Sequence, residues 1–411
     1  MSKKRLAILV GGGPAPGING VISAATIQAV DRGLEVIGIY DGFKWLAKGD
    51  TTKIVNLNIN HVSRIHFRGG SLLRTSRANP TKDIKMLNNV VKALNELNID
   101  YLITIGGDDT AYSAKMIENA SNGNIKVAHI PKTIDNDLPL PREIPTFGFH
   151  TAVHVGCNIV QNIMEDSFTA NRWFFVVTMG RKTGHLAFAI GKASGATLTL
   201  IPEEFKGMDV TLKRICDILE GAIIKRLSQN KQFGVAILSE GLAELCIDEL
   251  KELSVERDPF GHIRLAEVDF GRLVKGKVKA SLKSRGIDIT IVRKDIGYEV
   301  RCAPPDPFDI EYTKDLGFSA VKFLLDQEGS KAMITIQDGK SVPIYFDDIM
   351  DPETGKTRLR SVDTDTESYE VARYYMIRLN KEDFEPENVK KLALVAKMTE
   401  KEFIDRFSYL V

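Results

Sequence analysis

Two carboxylates one residue apart, Asp135 and Asp137, lie in the stretch Pro131–Pro139 (PKTIDNDLP), with Lys132 just upstream and Thr133 beside it. Paired acids on a tight, Asn-containing loop suit one proton acceptor and one partner for a metal or for orientation. The competing reading is an ordinary turn, since Asp, Asn and Pro also dominate turns. A second polar cluster, Gly106-Gly107-Asp108-Asp109-Thr110, weighs against that reading. Glycines there let a backbone approach a phosphate, and the amides of a following helix N-terminus would face an anion. Asp108 would then hold a hard cation such as Mg²⁺, acting through water. A third loop, Gly11–Gly17 (GGGPAPG), offers the amides of Gly12 and Gly13 to a phosphate. It has neither the GxxxxGK[ST] order of a P-loop nor the GxGxxG order of a dinucleotide site.

A bound phosphate needs counter-charge. Arg64, Arg68, Arg74 and Arg77 follow one another near Gly69-Gly70; basic loops are usually just solvated, and Arg77, in RTSR, carries the most weight. Met179-Gly180-Arg181 closes an apolar run, which makes Arg181 a candidate anion clamp. Arg172 stands at the start of the same run, and a strand of that length spans about 17–20 Å. The two therefore cannot reach one site within one chain, and Arg172 is expected to serve a neighbouring subunit. Glu203, Glu204 and Glu240 end two further runs, where they could accept hydrogen bonds from sugar hydroxyls. His150 and His154 have the i, i+4 spacing of a zinc pair, but no third ligand accompanies them.

Each cluster needs a rigid strand end behind it. Leu6–Val10, Leu34–Tyr40, Tyr101–Ile105, 125–130, Trp173–Thr178, 197–201, 233–238 and 287–293 read as strands. Residues 82–97, 151–166 and 268–285 read as helices, and 332–346 as a β-like segment turning at Asp338-Gly339. Strand–helix–strand order implies right-handed crossovers and parallel sheets, with chemistry at the carboxyl ends of the strands. The chain has 411 residues, 43% of them hydrophobic, so a large core and two domains are expected. Lys plus Arg number 55 against 54 Asp plus Glu, a net charge of +1 that supplies no basic field for nucleic acid or membrane. Four widely spaced cysteines with no CxxC pair suggest reduced thiols in the cytoplasm. No signal sequence or membrane span is expected.

Taken in order, GGGPAPGIN, GGDDT, PKTIDND, MGR, SEG and GYEVR resemble the phosphofructokinases from about Leu6 to Leu325, and the tail resembles extensions in the diphosphate-dependent branch. The resemblance implies two doubly wound three-layer α/β domains with a C-terminal extension. Residues 1–145 plus about 300–335 would bind the phosphoryl donor, 146–299 fructose 6-phosphate, and 336–411 would form the extension. It also implies a homodimer or homotetramer, with the site between domains and across a subunit interface. Asp135 would take the proton from the C1 hydroxyl of fructose 6-phosphate, Asp137 would orient the reacting groups, and Asp108 would hold Mg²⁺. Gly12, Gly13, Arg77 and Gly107 would contact diphosphate. Thr133, Ile134, Met179, Gly180 and Arg181 would line the sugar phosphate, and Glu240 would hold a sugar hydroxyl. Tyr298 and Arg301 fall where relatives grip the 6-phosphate, although many have His in place of Tyr298. Arg293 and Arg172 are the further arginines expected there.

Donor choice rests on Asp109 and Lys132, where ATP-using relatives generally have glycine. A carboxylate at Asp109 would stand where a nucleotide's inner phosphate should lie. Two like charges about 4 Å apart at an effective dielectric of about 20 repel by roughly 4 kcal/mol, on the order of a thousandfold against ATP. Lys132 would neutralise charge on the transferring group. Some ATP users carry lysine at that place, so Asp109 bears most of the argument, unless it merely caps the next helix. The expected activity is phosphoryl transfer from diphosphate, giving fructose 1,6-bisphosphate and phosphate. The alternatives are an ATP-dependent enzyme of the same family, a non-catalytic regulatory paralogue, and a plain sugar-phosphate binding protein.

Overall fold

Short apolar, β-branched runs become strands, and the loops that end them become the chemistry-bearing edges. The computed structural model describes residues 3–141, 143–251, 269–349 and 358–411. Among these the strands are β1 Arg5–Val10, β2 Glu35–Ile39, β3 Ile54–Leu57, β4 Tyr101–Gly106, β5 Lys126–Pro131, β6 Trp173–Thr178, β7 Leu198–Leu200, β8 Gly234–Ser239, β9 Ile291–Ile296, β10 Ala332–Gln337 and β11 Lys340–Tyr345. They form two sheets, ordered β11-β10-β5-β4-β1-β2-β3 and β7-β8-β6-β9. The chain divides into two compact units, Met1–Ala152 with Tyr298–Arg360, and Val153–Gly297 with Ser361–Val411. The stretch from 336, expected to form a C-terminal extension, is divided between the two units at Arg360.

In the first unit β1, β2, β4, β5 and β10 run parallel, with β3 and β11 as antiparallel edges. Leu6 to Val10 are all 0% exposed, as expected for a parallel strand covered on both faces. The chain leaves β1 for β2 on one side and later returns as β4 on the other. Strand order therefore reverses beside β1, and open α/β sheets bind ligands at such a reversal. β10 and β11 form a hairpin across Asp338-Gly339, whose φ values of 50° and 71° are those of a type I′ turn. Helix Pro307–Leu325 is fastened to the start of helix Phe149–Thr169 by Asp309, which is fully buried. Its carboxylate accepts from the amides of Gly148 and Thr151 and from the Thr151 hydroxyl. Burial holds this carboxyl above the usual carboxylate range.

The second unit's strands are all parallel. Its edge strand β9 begins at Ile291, four residues later than the apolar run 287–293 predicts. Ile287 and Ile289 are buried without belonging to the strand, while Arg293 and Asp295 lie on its outward face. An edge strand with one open face accommodates such charges. Helices are as expected apart from their ends: Ile84–Glu96, Phe149–Thr169 and Phe270–Ser284. Val268, the expected start of the last, lies outside the described residues. The tail is integral to this unit, since Arg285 and the tail's Arg406 both pair with the fully buried Glu220.

The closest approach near the reversal point is made by Thr110, which is 5% exposed. A Cβ built on Gly11 would stand 2.3 Å from its Oγ1 and 3.0 Å from its Cγ2. Gly11→Ala should therefore destabilise the fold by about 1–3 kcal/mol through overpacking. Adding Thr110→Ala should restore most of that loss, because both clashing atoms leave with it; denaturant titration of the single and double variants provides the check.

Candidate active site

Three predicted clusters meet at neighbouring strand ends in the first unit. β5, β4 and β1 are adjacent, and backbone hydrogen bonds lace their ends together. The Gly11 amide donates to the Ile105 carbonyl (2.8 Å), and the Lys132 amide to the Gly106 carbonyl (2.9 Å). The Arg74–Arg77 segment joins them, since Ser76 bridges in parallel to Gly11 and the Thr75 hydroxyl donates to the Gly12 carbonyl at 2.7 Å. One expectation is corrected here. The Gly12 amide, read as a phosphate donor, gives its proton to the Ser76 carbonyl (2.9 Å), because that segment extends the sheet by one bridge. Gly12 instead contributes its φ of +81°, which glycine adopts without steric cost, in ordinary contact with Lys132, whose Nζ lies 3.5 Å from where a Cβ would be.

Lys132 is the centre of this arrangement. It is 4% exposed, and its ammonium donates to the Gly13 carbonyl at 2.5 Å. Burial pushes its pKa down to about 8; Asp135 and Asp137 act against that shift, while Arg301 and Arg77 add to it. Arg301 lies against the same loop, its Nη1 3.2 Å from where a Gly13 Cβ would be. The Arg301 Nε is buried without a hydrogen-bond partner. A buried guanidinium N–H left unmatched within electrostatic reach of the Lys132 ammonium is what an anion would satisfy. Arg301, expected on a sugar phosphate, thus sits with the glycine loop and Lys132.

Asp135 is held by its own loop: its amide donates to Thr133 Oγ1 at 3.0 Å. Ile134 is 5% exposed. Asp108 and Asp109 occupy the first turn of helix Asp108–Ala120, with Gly107 as its cap. Asp109 is therefore inside the helix and is not its N-cap. Asp108 Oδ1 accepts from the Asp109 amide at 2.9 Å. Tyr298 is 70% exposed, with the Arg301 guanidinium 4.8 Å from its ring centre.

The second unit gathers a set of its own at the carboxyl ends of β6, β8 and β9. The Met179 amide donates to the Ile296 carbonyl (3.0 Å) and the Glu240 amide to the Thr178 carbonyl (3.0 Å). Gly180 adopts φ +128°, where a Cβ would meet the Thr183 carbonyl at 2.8 Å. Arg181 pairs with Glu244 at 2.9 Å. Arg293 is not brought to this edge; it lies mid-strand, paired with Asp269 and Asp295. Arg172 precedes β6 at the opposite end and is paired with Asp166 (2.7 Å). His150 hydrogen-bonds Asp306 at 2.5 Å, and among the described residues no cluster of three metal-ligating side chains forms.

Two supporting residues escape the sequence reading. His129 on β5 is fully buried, its Nε2 3.0 Å from the Gly106 carbonyl and its Nδ1 2.8 Å from the Thr104 hydroxyl. A carbonyl can only accept, so Nε2 carries the proton and Nδ1 accepts from Thr104. Burial pushes its pKa down to about 3, and the neutral ring fixes the end of β4. A lone His in an apolar strand was the available signal. Arg360 is the other, and it binds the loop after Asp135.

The unfolded chain keeps the Lys132 proton up to about pH 10.5, and the folded chain only to about 8. The unfolded state thus binds more protons in that window, so this residue makes stability rise as the pH climbs from about 8 to 10.5. The parent should gain stability over that interval relative to Lys132→Met, by up to about 3 kcal/mol. Melts of the two proteins at matched pH read the difference.

Residues 5–324 match the phosphofructokinase family. The chain is 54% identical over 418 residues to the pyrophosphate–fructose 6-phosphate 1-phosphotransferase of Naegleria fowleri, covering 99% of this chain and 95% of that one. It is 53% identical over 411 residues to the protein of the same name from Thermotoga maritima, covering 98% of each. Phosphofructokinase from Saccharomyces cerevisiae superposes with a TM-score of 0.67 at 21% identity over 99% of this chain, which spans about half (50%) of the yeast chain's length. That likeness concerns the fold. With the match over 5–324 and two relatives above half identity along nearly the whole length, the chain belongs to the phosphofructokinase family.

Proposed function

We propose that the chain transfers a phosphoryl group from diphosphate to the C1 hydroxyl of fructose 6-phosphate, giving fructose 1,6-bisphosphate and phosphate. The observation that carries this reading is the buried Lys132 ammonium at the glycine loop, with Asp109 in the helical turn on the adjoining strand end. The two relatives named for this reaction support it. In the proposed step Asp135 accepts the C1 hydroxyl proton as the C1 oxygen bonds to phosphorus. The bond from phosphorus to the bridging oxygen breaks, and phosphate leaves. Asp137 orients the acceptor. Lys132, Arg301 and Arg77 surround the transferring group with positive charge, which is the main lever in phosphoryl transfer. Asp109 repels a nucleotide's inner phosphate. One anhydride is exchanged for one ester without ATP, so the reaction runs in both directions.

Asp108 is a hard oxygen donor in the first turn of the helix that follows β4, which fits Mg²⁺ completed by water and substrate oxygens. Bound there through Asp108, the cation would offset charge on the donor. Gly13 and Gly107 serve the diphosphate. Met179, Gly180, Arg181 and Glu240 serve the sugar phosphate and its hydroxyls, with Thr133, Ile134 and Tyr298 as further contacts. Arg172, from a neighbouring subunit, and Arg293 are further contacts proposed for the 6-phosphate; here each is paired with a carboxylate. The protein is proposed to be cytoplasmic and to act as a homodimer or homotetramer. No described helix is long and apolar enough to cross a membrane.

Asp135→Asn should lower the diphosphate-dependent rate by about 10²–10⁴-fold, the usual worth of a positioned base. A coupled assay with Mg²⁺ and fructose 6-phosphate measures it, and a loss under about tenfold would remove Asp135 from the role. Asp109→Gly combined with Lys132→Gly should lose diphosphate turnover and acquire measurable use of ATP. Diphosphate turnover left intact, with ATP still unused, would contradict this account of donor choice.

A further inference from the structure

The loop that carries Asp135 and Asp137 leaves β5 without a strand partner, so its backbone carbonyls must find donors elsewhere. One side chain reaches four of them. Arg360 Nε donates to the Asn136 carbonyl at 3.1 Å. Its Nη1 donates to the carbonyls of Pro141 (3.0 Å) and Ile144 (2.7 Å), with Leu140 at 3.4 Å. Its Nη2 donates to Asn136 Oδ1. The Arg360 amide adds a bond to the Asp137 carbonyl at 3.0 Å. This one residue therefore holds the backbone carbonyls of Asn136, the residue between the two acids, and of Asp137 itself.

Asn136 makes the hold specific. It adopts φ +56°, a conformation Asn tolerates better than most residues. Its Oδ1 accepts from the Thr146 amide at 3.0 Å as well as from Arg360. Thr146 in turn donates its hydroxyl to the Thr133 carbonyl at 2.7 Å. Asp135 is thus pinned on one side through Thr133 and Thr146, and on the other through Asn136 and Arg360. Burial lowers the Arg360 pKa, and the Asp137 carboxylate acts against that shift, so the guanidinium also lies within electrostatic reach of Asp137.

We infer that Arg360 is a positioning residue for phosphoryl transfer, setting the aim of Asp135 and Asp137 from the C-terminal part of the chain. The inference rests on the roles proposed above for those two acids. A guanidinium presents five N–H groups in a fixed plane, which an ammonium cannot reproduce. A displacement of about 1 Å at a reacting group is worth about a hundredfold in rate. The expected defect is therefore in turnover, because the groups that bind diphosphate stay where they are.

The test compares Arg360→Lys, which keeps charge but loses the fork, with Arg360→Ala. Both should lose about a hundredfold in kcat for diphosphate and fructose 6-phosphate, while KM for each substrate stays within about threefold. Added guanidinium chloride, below denaturing concentration, should restore Arg360→Ala by about tenfold or more and leave the parent unchanged. Circular dichroism melts give the folded fraction at the assay temperature; if Arg360→Ala does not fold, Arg360→Lys carries the kcat and KM comparison alone. Parent-like kcat in a folded variant overturns the inference, and so does a loss confined to KM or one that matches the unfolded fraction. An inactive parent overturns the functional reading and this inference with it, whereas an active parent with indifferent variants overturns this inference alone.

Discussion

An ammonium group removed from water beside a glycine loop is the constraint around which the first unit is arranged. Taking such a charge out of solvent is costly unless partners are built for it. Lys132 has the Gly13 carbonyl and the fields of Asp135 and Asp137 on its side, with Arg301 and Arg77 against it. The balance leaves its pKa pushed down to about 8, with burial the largest cause. A dense inorganic anion would shift that balance by matching Lys132, Arg301 and Arg77 together. Interaction free energy withheld from the empty protein and released on binding is how a site favours its ligand over stability.

The rest of the local structure follows from keeping that charge in place. Reversal of strand order beside β1 brings three loops to one edge. Thr110 then closes on Gly11 and Gly106 so tightly that a Cβ on either would clash with its side chain. His129, neutral and buried, secures the Gly106 carbonyl to which the Lys132 amide also donates. From the far side Arg360 holds the backbone between the two acids. Groups on strand ends and a helix N-terminus make up the candidate site, while buried polar groups fix their direction; precision of this kind needs such support.

Strand ends were the legible part of the sequence. Gly106–Asp109 and Lys132–Asp137 lie at successive strand termini, as the apolar runs before them imply, and Asp338-Gly339 turns a hairpin as such a pair should. What the residues could not disclose was side-chain partnership. Nothing in the sequence says that Gly12's amide is taken by Ser76, or that Arg293 is held by Asp269 and Asp295. β3 is four residues long on an antiparallel edge and too short to signal. β9 carries Arg293, Lys294 and Asp295, so its apolar pattern points to the buried residues before it. Arg360 sits in RLRS, an unremarkable surface pattern, yet it satisfies carbonyls more than two hundred residues away (|i−j| = 224 to Asn136).

The central claim is that a fixed carboxylate and a buried ammonium admit a compact inorganic donor and refuse a nucleotide. Initial rates with Mg²⁺, saturating fructose 6-phosphate, and either diphosphate or ATP over the same concentration range test it most directly. The account predicts kcat/KM for diphosphate at least about a thousandfold above that for ATP. Equal values, or a preference for ATP, would contradict it.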